Sequence, residues 1–226
     1  MSGVDYALIF AAASVLGAIV TFGLISLSNR AAGEAQSVGQ RGVDETASTL
    51  SLRGGVLTTR GDVDVDGDNV INLNGNDRRA VVKMSFVVGA PAAGLPVDLT
   101  PPYTYDSTQA DPDASSLDYT ATVAFRTDTA QVSSAAWSVS FPGTNDGDYI
   151  LGPGEKAEIT LWLHRHDTAN GHYDIGAGAS DPYIDTASAL VLARQEFAIE
   201  VLVNGARALL ILRTLPLELT ASDVLE

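Results

Sequence analysis

A chain of 226 residues holds one ordinary domain of about 150–180 residues and leaves roughly fifty to account for, so two parts are expected. The formal net charge of −15, from 28 Asp and Glu against 13 Lys and Arg, offers no basic patch for phosphates and argues against a nucleic-acid partner. No cysteine is present, which removes disulfides, thiolate metal ligands and cysteine nucleophiles together.

Between Asp5 and Arg30 no side chain is charged, and residues 6–27 are long enough for a bilayer-spanning helix of about 20 residues. A cleavable secretory signal would instead open on basic residues, and residues 1–5 carry none. The segment is rich in small residues, among them Ala7, Ala11, Ala12, Ala13, Ser14, Gly17, Ala18 and Gly23, which let neighbouring helix backbones approach closely. Asp5, Ala11, Gly17, Ala18 and Gly23 are the candidate assembly positions. Asp5 is expected to meet the α-amino group of Met1 in a neighbouring subunit, because a carboxylate among apolar helices is costly without a positive partner. A plain single-span anchor is the alternative reading, since membrane helices tolerate small residues in general. Beyond Arg30 the sequence turns polar but stays compatible with a helix, bent at Gly33, Gly39 and Gly42. Arg53, Gly54 and Gly55 read as its stop and hinge. A terminal helix over 1–52 and an outer domain over 56–226 are expected.

The outer domain begins with Asp62, Asp64, Asp66, Gly67 and Asp68, which match the first half of a calcium loop: oxygen ligands at alternate positions and glycine at the bend. Leu73 stands where the closing glutamate would be, so any calcium bound by Asp62, Asp64, Asp66 and Asp68 needs further ligands from elsewhere, and an exposed acidic turn is the alternative. From about residue 56 the periodicity is two, the mark of short sandwich strands. Strands are expected over 80–88, 119–126 and 136–141, with loops over 91–102, 106–116 and 181–188. Ala157, Ile159, Leu161 and Leu163 alternate with Glu158, Thr160, Trp162 and His164, which predicts a strand with one buried face. Phe197, Ile199, Val201 and Val203 repeat the pattern. Asn204 and Gly205 then supply a two-residue hairpin turn, with a return strand over 206–214.

All three histidines fall between 164 and 172. Alternation puts His164 and His166 on one strand face, and the turn at Asn170 and Gly171 returns His172 toward them. Neutral imidazoles so placed suit a transition metal, against the alternative of a hairpin tip with incidental histidines. No phosphate loop, nucleophile elbow or zinc-protease motif occurs, and the chain is expected not to be an enzyme. Trp137, Trp162 and Tyr183 read as core or interface packing rather than a ligand platform.

Several of these features stand in a telling order. Gly3 precedes the charge-free segment. Gly152, Pro153, Gly154, Glu155 and Lys156 lead a late strand, and Glu196 to Val201 opens another. Gly205 and Ala206 follow, and Leu212, Arg213, Thr214, Leu215 and Pro216 come near the end. This order resembles archaellins, the flagellins of the archaeal swimming filament, and more broadly type IV pilins. The resemblance implies a mature N-terminus left by a prepilin-type signal peptidase, with Met1 as first residue. It also implies membrane insertion before assembly, an extracellular homopolymer, and a cytoplasmic ATP-driven motor and assembly platform. Asp5 departs from the family, since type IV pilins typically carry glutamate and many archaellins no acid. No Asn-x-Ser/Thr sequon occurs either, although archaellins are commonly N-glycosylated. The expected fold class is α+β, a long N-terminal hydrophobic helix followed by an immunoglobulin-like antiparallel β-sandwich. The expected role is a structural subunit of a motility filament, with calcium as the one cofactor in view. The alternatives are an adhesive pilus subunit and a monomeric membrane-anchored binding domain.

Overall fold

The computed structural model describes residues 50–90, 96–104, 112–143, 145–178, 182–204 and 206–225. Strand β1 (Ser51–Asp64) runs antiparallel to β2 (Arg78–Gly89), joining Ser51 to Gly89 at one end and Val63 to Arg78 at the other. Short β3 (Val97–Asp98), β4 (Tyr103–Thr104) and β5 (Asp113–Ala114) follow, then β6 (Ala121–Arg126), β7 (Gln131–Val132) and β8 (Ala136–Ser140). After β9 (Ile150–Leu151) come β10 (Lys156–Trp162), β11 (Arg165–Asp167) and β12 (His172–Asp174). The long hairpin β13 (Glu196–Val203) and β14 (Ala206–Thr214) precedes β15 (Ser222–Leu225).

Two sheets carry the domain. One orders its strands β11-β12-β1-β2-β10-β8, with β15 added along β1, and the other runs β14-β13-β6-β7. Their facing side chains alternate as expected: Ala157, Ile159 and Leu161 of β10 and Ala121, Val123 and Phe125 of β6 are buried, with half-buried residues between them. Met84, Phe86, Phe125, Trp137, Phe197 and Ile199 lie in one apolar cluster with them. Burying each such side chain stabilises the fold by about 1.5–3 kcal/mol before entropy is counted. Strand β2 is covered on both faces, since Val81 joins that cluster while Ala80 and Val82 join a second one with Val63 and Leu190.

The strands expected over 80–88, 119–126 and 136–141 form within a few residues of those bounds. Val203 pairs with Ala206, as a two-residue connection requires, and Asn204 takes a φ of 51°. Trp137, Trp162 and Tyr183 are buried, and the last two share a small cluster with Ala136. Trp162 donates its indole N–H to Ser138 Oγ at 3.2 Å.

The fold class needs correction. The described residues form strands and a single 3-10 turn, Ala187–Ala189, and no α-helix, so they are β rather than α+β. The helix expected over 1–52 falls outside the described residues up to residue 49, and Ser51 and Leu52 belong to a strand. Among the described residues no helix is long and apolar enough to cross a membrane. Arg53, Gly54 and Gly55 are no hinge either: they lie inside β1, where the register shifts between Leu52 and Val56. Paired glycines read as a helix stop because they free the backbone, and a β-bulge needs the same freedom. Gly54 has a φ of 98°, and a Cβ on Gly55 would lie 2.6 Å from the Leu225 carbonyl oxygen.

Candidate functional site

The acidic loop leaves the end of β1 and returns to β2. Asp64 is 2% exposed; its Oδ1 accepts the Gly67 N–H at 2.7 Å and its Oδ2 the Asn69 N–H at 2.8 Å. The tight curl this requires puts Gly67 at φ 73° and Asn69 at φ 63°. Asp77, 1% exposed, closes the far side by accepting the N–H groups of Val65 and Asn72. The remaining acids have partners of their own. Asp62 accepts from Arg79 Nε at 2.9 Å, Asp66 from Asn76 Nδ2 at 3.0 Å, and Asp68 from the Val70 N–H at 2.8 Å.

Of the four acids picked out for calcium, the structure therefore brings Asp64 and Asp66 together, and it adds Asp77, each with an oxygen within 4.8 Å of the others. Asp62 and Asp68 join no such group among the described residues. Asp77 was missed from sequence because no alternation rule links it to Asp64.

The histidine segment folds as the hairpin β11–β12, pairing Arg165 with Asp174 and Asp167 with His172. Gly171, at φ 76°, makes the turn and donates its N–H to the Asp167 carbonyl at 2.8 Å. The three imidazoles do not share a site. His164 lies in the bend before β11 and is wholly buried, and that burial pushes its pKa down to about 4, with the Asp174 backbone pulling weakly the other way. His166 packs edge-on against Tyr173 with ring centres 4.7 Å apart.

His172 turns to acids instead. It is 3% exposed, and its Nε2 stands 3.3 Å from Asp174 Oδ1, 3.6 Å from Asp64 Oδ2 and 3.9 Å from Asp167 Oδ2. Asp64 arrives there because β1 pairs in parallel with β12, matching Val63 to Tyr173 and Asp64 to Asp174. The Asp167 carboxyl is held below the usual range by the Asn170 side-chain amide first and the Ala169 N–H second. Beside this group an open cleft of about 370 Å³ is lined by Asp64, Asp66, Asn69, Arg165 and Asp174. An imidazole among carboxylates can hold a cation or a proton; none of the described side chains there forms a nucleophile–base pair.

The turn before β10 is built by its own residues. Gly152 donates its N–H to Glu155 Oε2 at 2.7 Å, Glu155 returns its N–H to the Gly152 carbonyl at 3.2 Å, and Gly154 has a φ of 87°. The assembly positions Asp5, Ala11, Gly17, Ala18 and Gly23 lie outside the described residues.

No protein-family model and no curated protein matches the chain. Among solved structures it is similar to the archaeal flagellum of Methanospirillum hungatei strain JF1, at 17% identity and a TM-score of 0.39, covering 100% of both chains. It is also similar to archaeal flagellin FlaB1 from Methanocaldococcus jannaschii, at 14% identity and a TM-score of 0.45, covering 79% of this chain and 97% of that one.

Proposed function

We propose that this chain is the structural subunit of an extracellular helical filament that drives archaeal swimming, polymerised through residues 1–30 and displaying the β domain outward. The observation that carries the reading is the charge-free segment 6–27 on the same chain as the archaellin-like series of the Gly152–Glu155 turn, two late strands, and Arg213, Thr214, Leu215 and Pro216. Such a segment sits in lipid before assembly and then packs against identical neighbours, where its small residues permit close contact. Contacts between unlike patches of identical subunits propagate a fibre when the rotation between neighbours does not close a ring. The work of the subunit is mechanical. A signal peptidase that exposes the segment and a motor that turns the filament are the partners this reading requires.

Charge favours a propeller over an adhesive pilus. A coat of net charge −15 per subunit repels anionic cell and mineral surfaces across a Debye length of about 8 Å at physiological salt. A strain lacking this subunit should lose swimming in liquid and keep its attachment to surfaces. Loss of attachment with normal swimming would transfer the reading to an adhesive pilus. Deleting residues 1–30 should release a soluble monomer, and fibres that persist would assign polymerisation to the β domain.

A further inference from the structure

His172 and its carboxylates are placed for an ion that neither the fold nor the filament reading uses. The His172 Nε2 makes no hydrogen bond, although it is buried and three carboxylate oxygens stand 3.3 to 3.9 Å away. An imidazolium there would donate a charge-assisted hydrogen bond at about 2.7–2.9 Å to one of them. A neutral imidazole would instead leave its ring nitrogen unmatched beside buried negative charge, which burial penalises unless a cation lies between.

The geometry points to a divalent transition-metal site of the zinc class, with His172 Nε2, Asp64 Oδ2 and Asp174 Oδ1 as ligands and a water as the fourth. The first three lie within 4.8 Å of one another. Zinc bonds of about 2.0–2.2 Å in a tetrahedron put neighbouring ligand atoms about 3.3–3.6 Å apart. His172 stands 3.3 Å from Asp174 and 3.6 Å from Asp64. An imidazole in the set suits zinc and its first-row neighbours, whereas calcium and magnesium take oxygen alone.

The ligands are also held and available. Asp64 Oδ2 accepts from Asn69 in one lone-pair direction and keeps the other. Asp174 turns its other oxygen toward Arg165 at 3.5 Å. His172 and Asp174 share a face of β12 because side chains two apart on a strand do. A bound ion ties the β11–β12 hairpin to the end of β1, where the ladder consists of two register pairs. In a chain without cysteine it takes the place of a covalent cross-link.

The test uses the full chain in detergent, stripped with chelator and titrated by calorimetry with zinc, manganese and calcium chlorides, with thermal melting read alongside. One zinc per chain and a raised melting temperature are expected. His172→Gln should weaken zinc binding by at least about a hundredfold. Asp174→Asn should weaken it as well; its position is less buried, so it decides the matter if His172→Gln fails to fold. Near-ultraviolet dichroism of the stripped variants should match that of the stripped wild type. No stoichiometric zinc, or zinc binding that survives both substitutions, overturns the site. Calcium binding that outcompetes zinc and survives His172→Gln also overturns it, and would assign the ion to Asp64, Asp66 and Asp77.

Discussion

Gly55 shows how one missing methyl group can decide an edge. Its neighbour across the ladder is β15, where Val56 pairs with Leu225, and a Cβ on Gly55 would meet the Leu225 oxygen at 2.6 Å and Val224 Cγ1 at 2.9 Å. Both are constrained, one by the backbone and one by its pairing. Gly55→Ala should therefore push β15 off β1 and cost about 1–3 kcal/mol, seen in denaturant unfolding and in faster hydrogen exchange of the β15 amides. Unchanged exchange would mean that β15 accommodates the methyl group. His164 sets a second, chemical constraint. Its folded pKa of about 4 lies below the ordinary imidazole value of 6.5, so the folded state refuses a proton that the unfolded chain accepts. Above pH 6.5 nothing is lost; from 6.5 down to about 4 stability should fall by roughly 1.4 kcal/mol per pH unit, and below that the loss is complete. In chelator, His164→Gln should flatten this slope and leave the carboxylate losses at lower pH. An equal slope in the variant would remove His164 as the cause.

At the scale of an element, the β1–β2 loop is rigid because buried carboxylates replace a backbone ladder. Asp64 and Asp77 each accept two backbone N–H groups from within it. Asp77→Ala leaves two part-buried backbone donors without their acceptor, at a cost of about 1–3 kcal/mol, and Asp77→Asn should cost about half as much because one carbonyl oxygen remains. Urea unfolding of the two variants checks the order. Equal stabilities would show that water replaces the carboxylate. Part of this loop was legible: the alternating acids and Gly67 predict a curled acidic turn. That Asp64 faces inward while Asp62 pairs with Arg79 was not, because alternation assigns both to the same face. Asp62 stays in the ladder opposite Arg79, whereas Asp64 ends β1 and is enclosed by the loop's own hydrogen bonds from Gly67 and Asn69.

For the whole molecule the excess of acid over base is the dominant long-range force. Fifteen unbalanced negative charges repel one another more in the folded state than in an expanded chain. Raising sodium chloride from about 0.1 M to 1 M shrinks the Debye length from about 10 Å to about 3 Å, so the melting temperature of the chelator-treated protein should rise over that range. A flat or falling curve would show that ion pairs such as Arg79–Asp62 outweigh the repulsion. The same charge keeps neighbouring filaments apart in the proposed assembly.

What the sequence determined by itself is what depends on near neighbours. The buried face of β10 at Ala157, Ile159 and Leu161, the pairing of Val203 with Ala206 across two residues and the return of His172 through Gly171 all follow from a period of two and from local turn chemistry. The charge-free segment 6–27 is equally plain in composition. Only the tertiary structure decided that Gly54 and Gly55 form a bulge rather than a hinge, because the bulge depends on the register of β1 against β2 and on Leu225, from the other end of the chain, packing close beside Gly55. It alone set Asp64 beside Asp174 and His172. Pairing between distant strands is fixed by which strand lies alongside and in what register, a slip of one residue turns every side chain to the opposite face, and no local pattern encodes that choice.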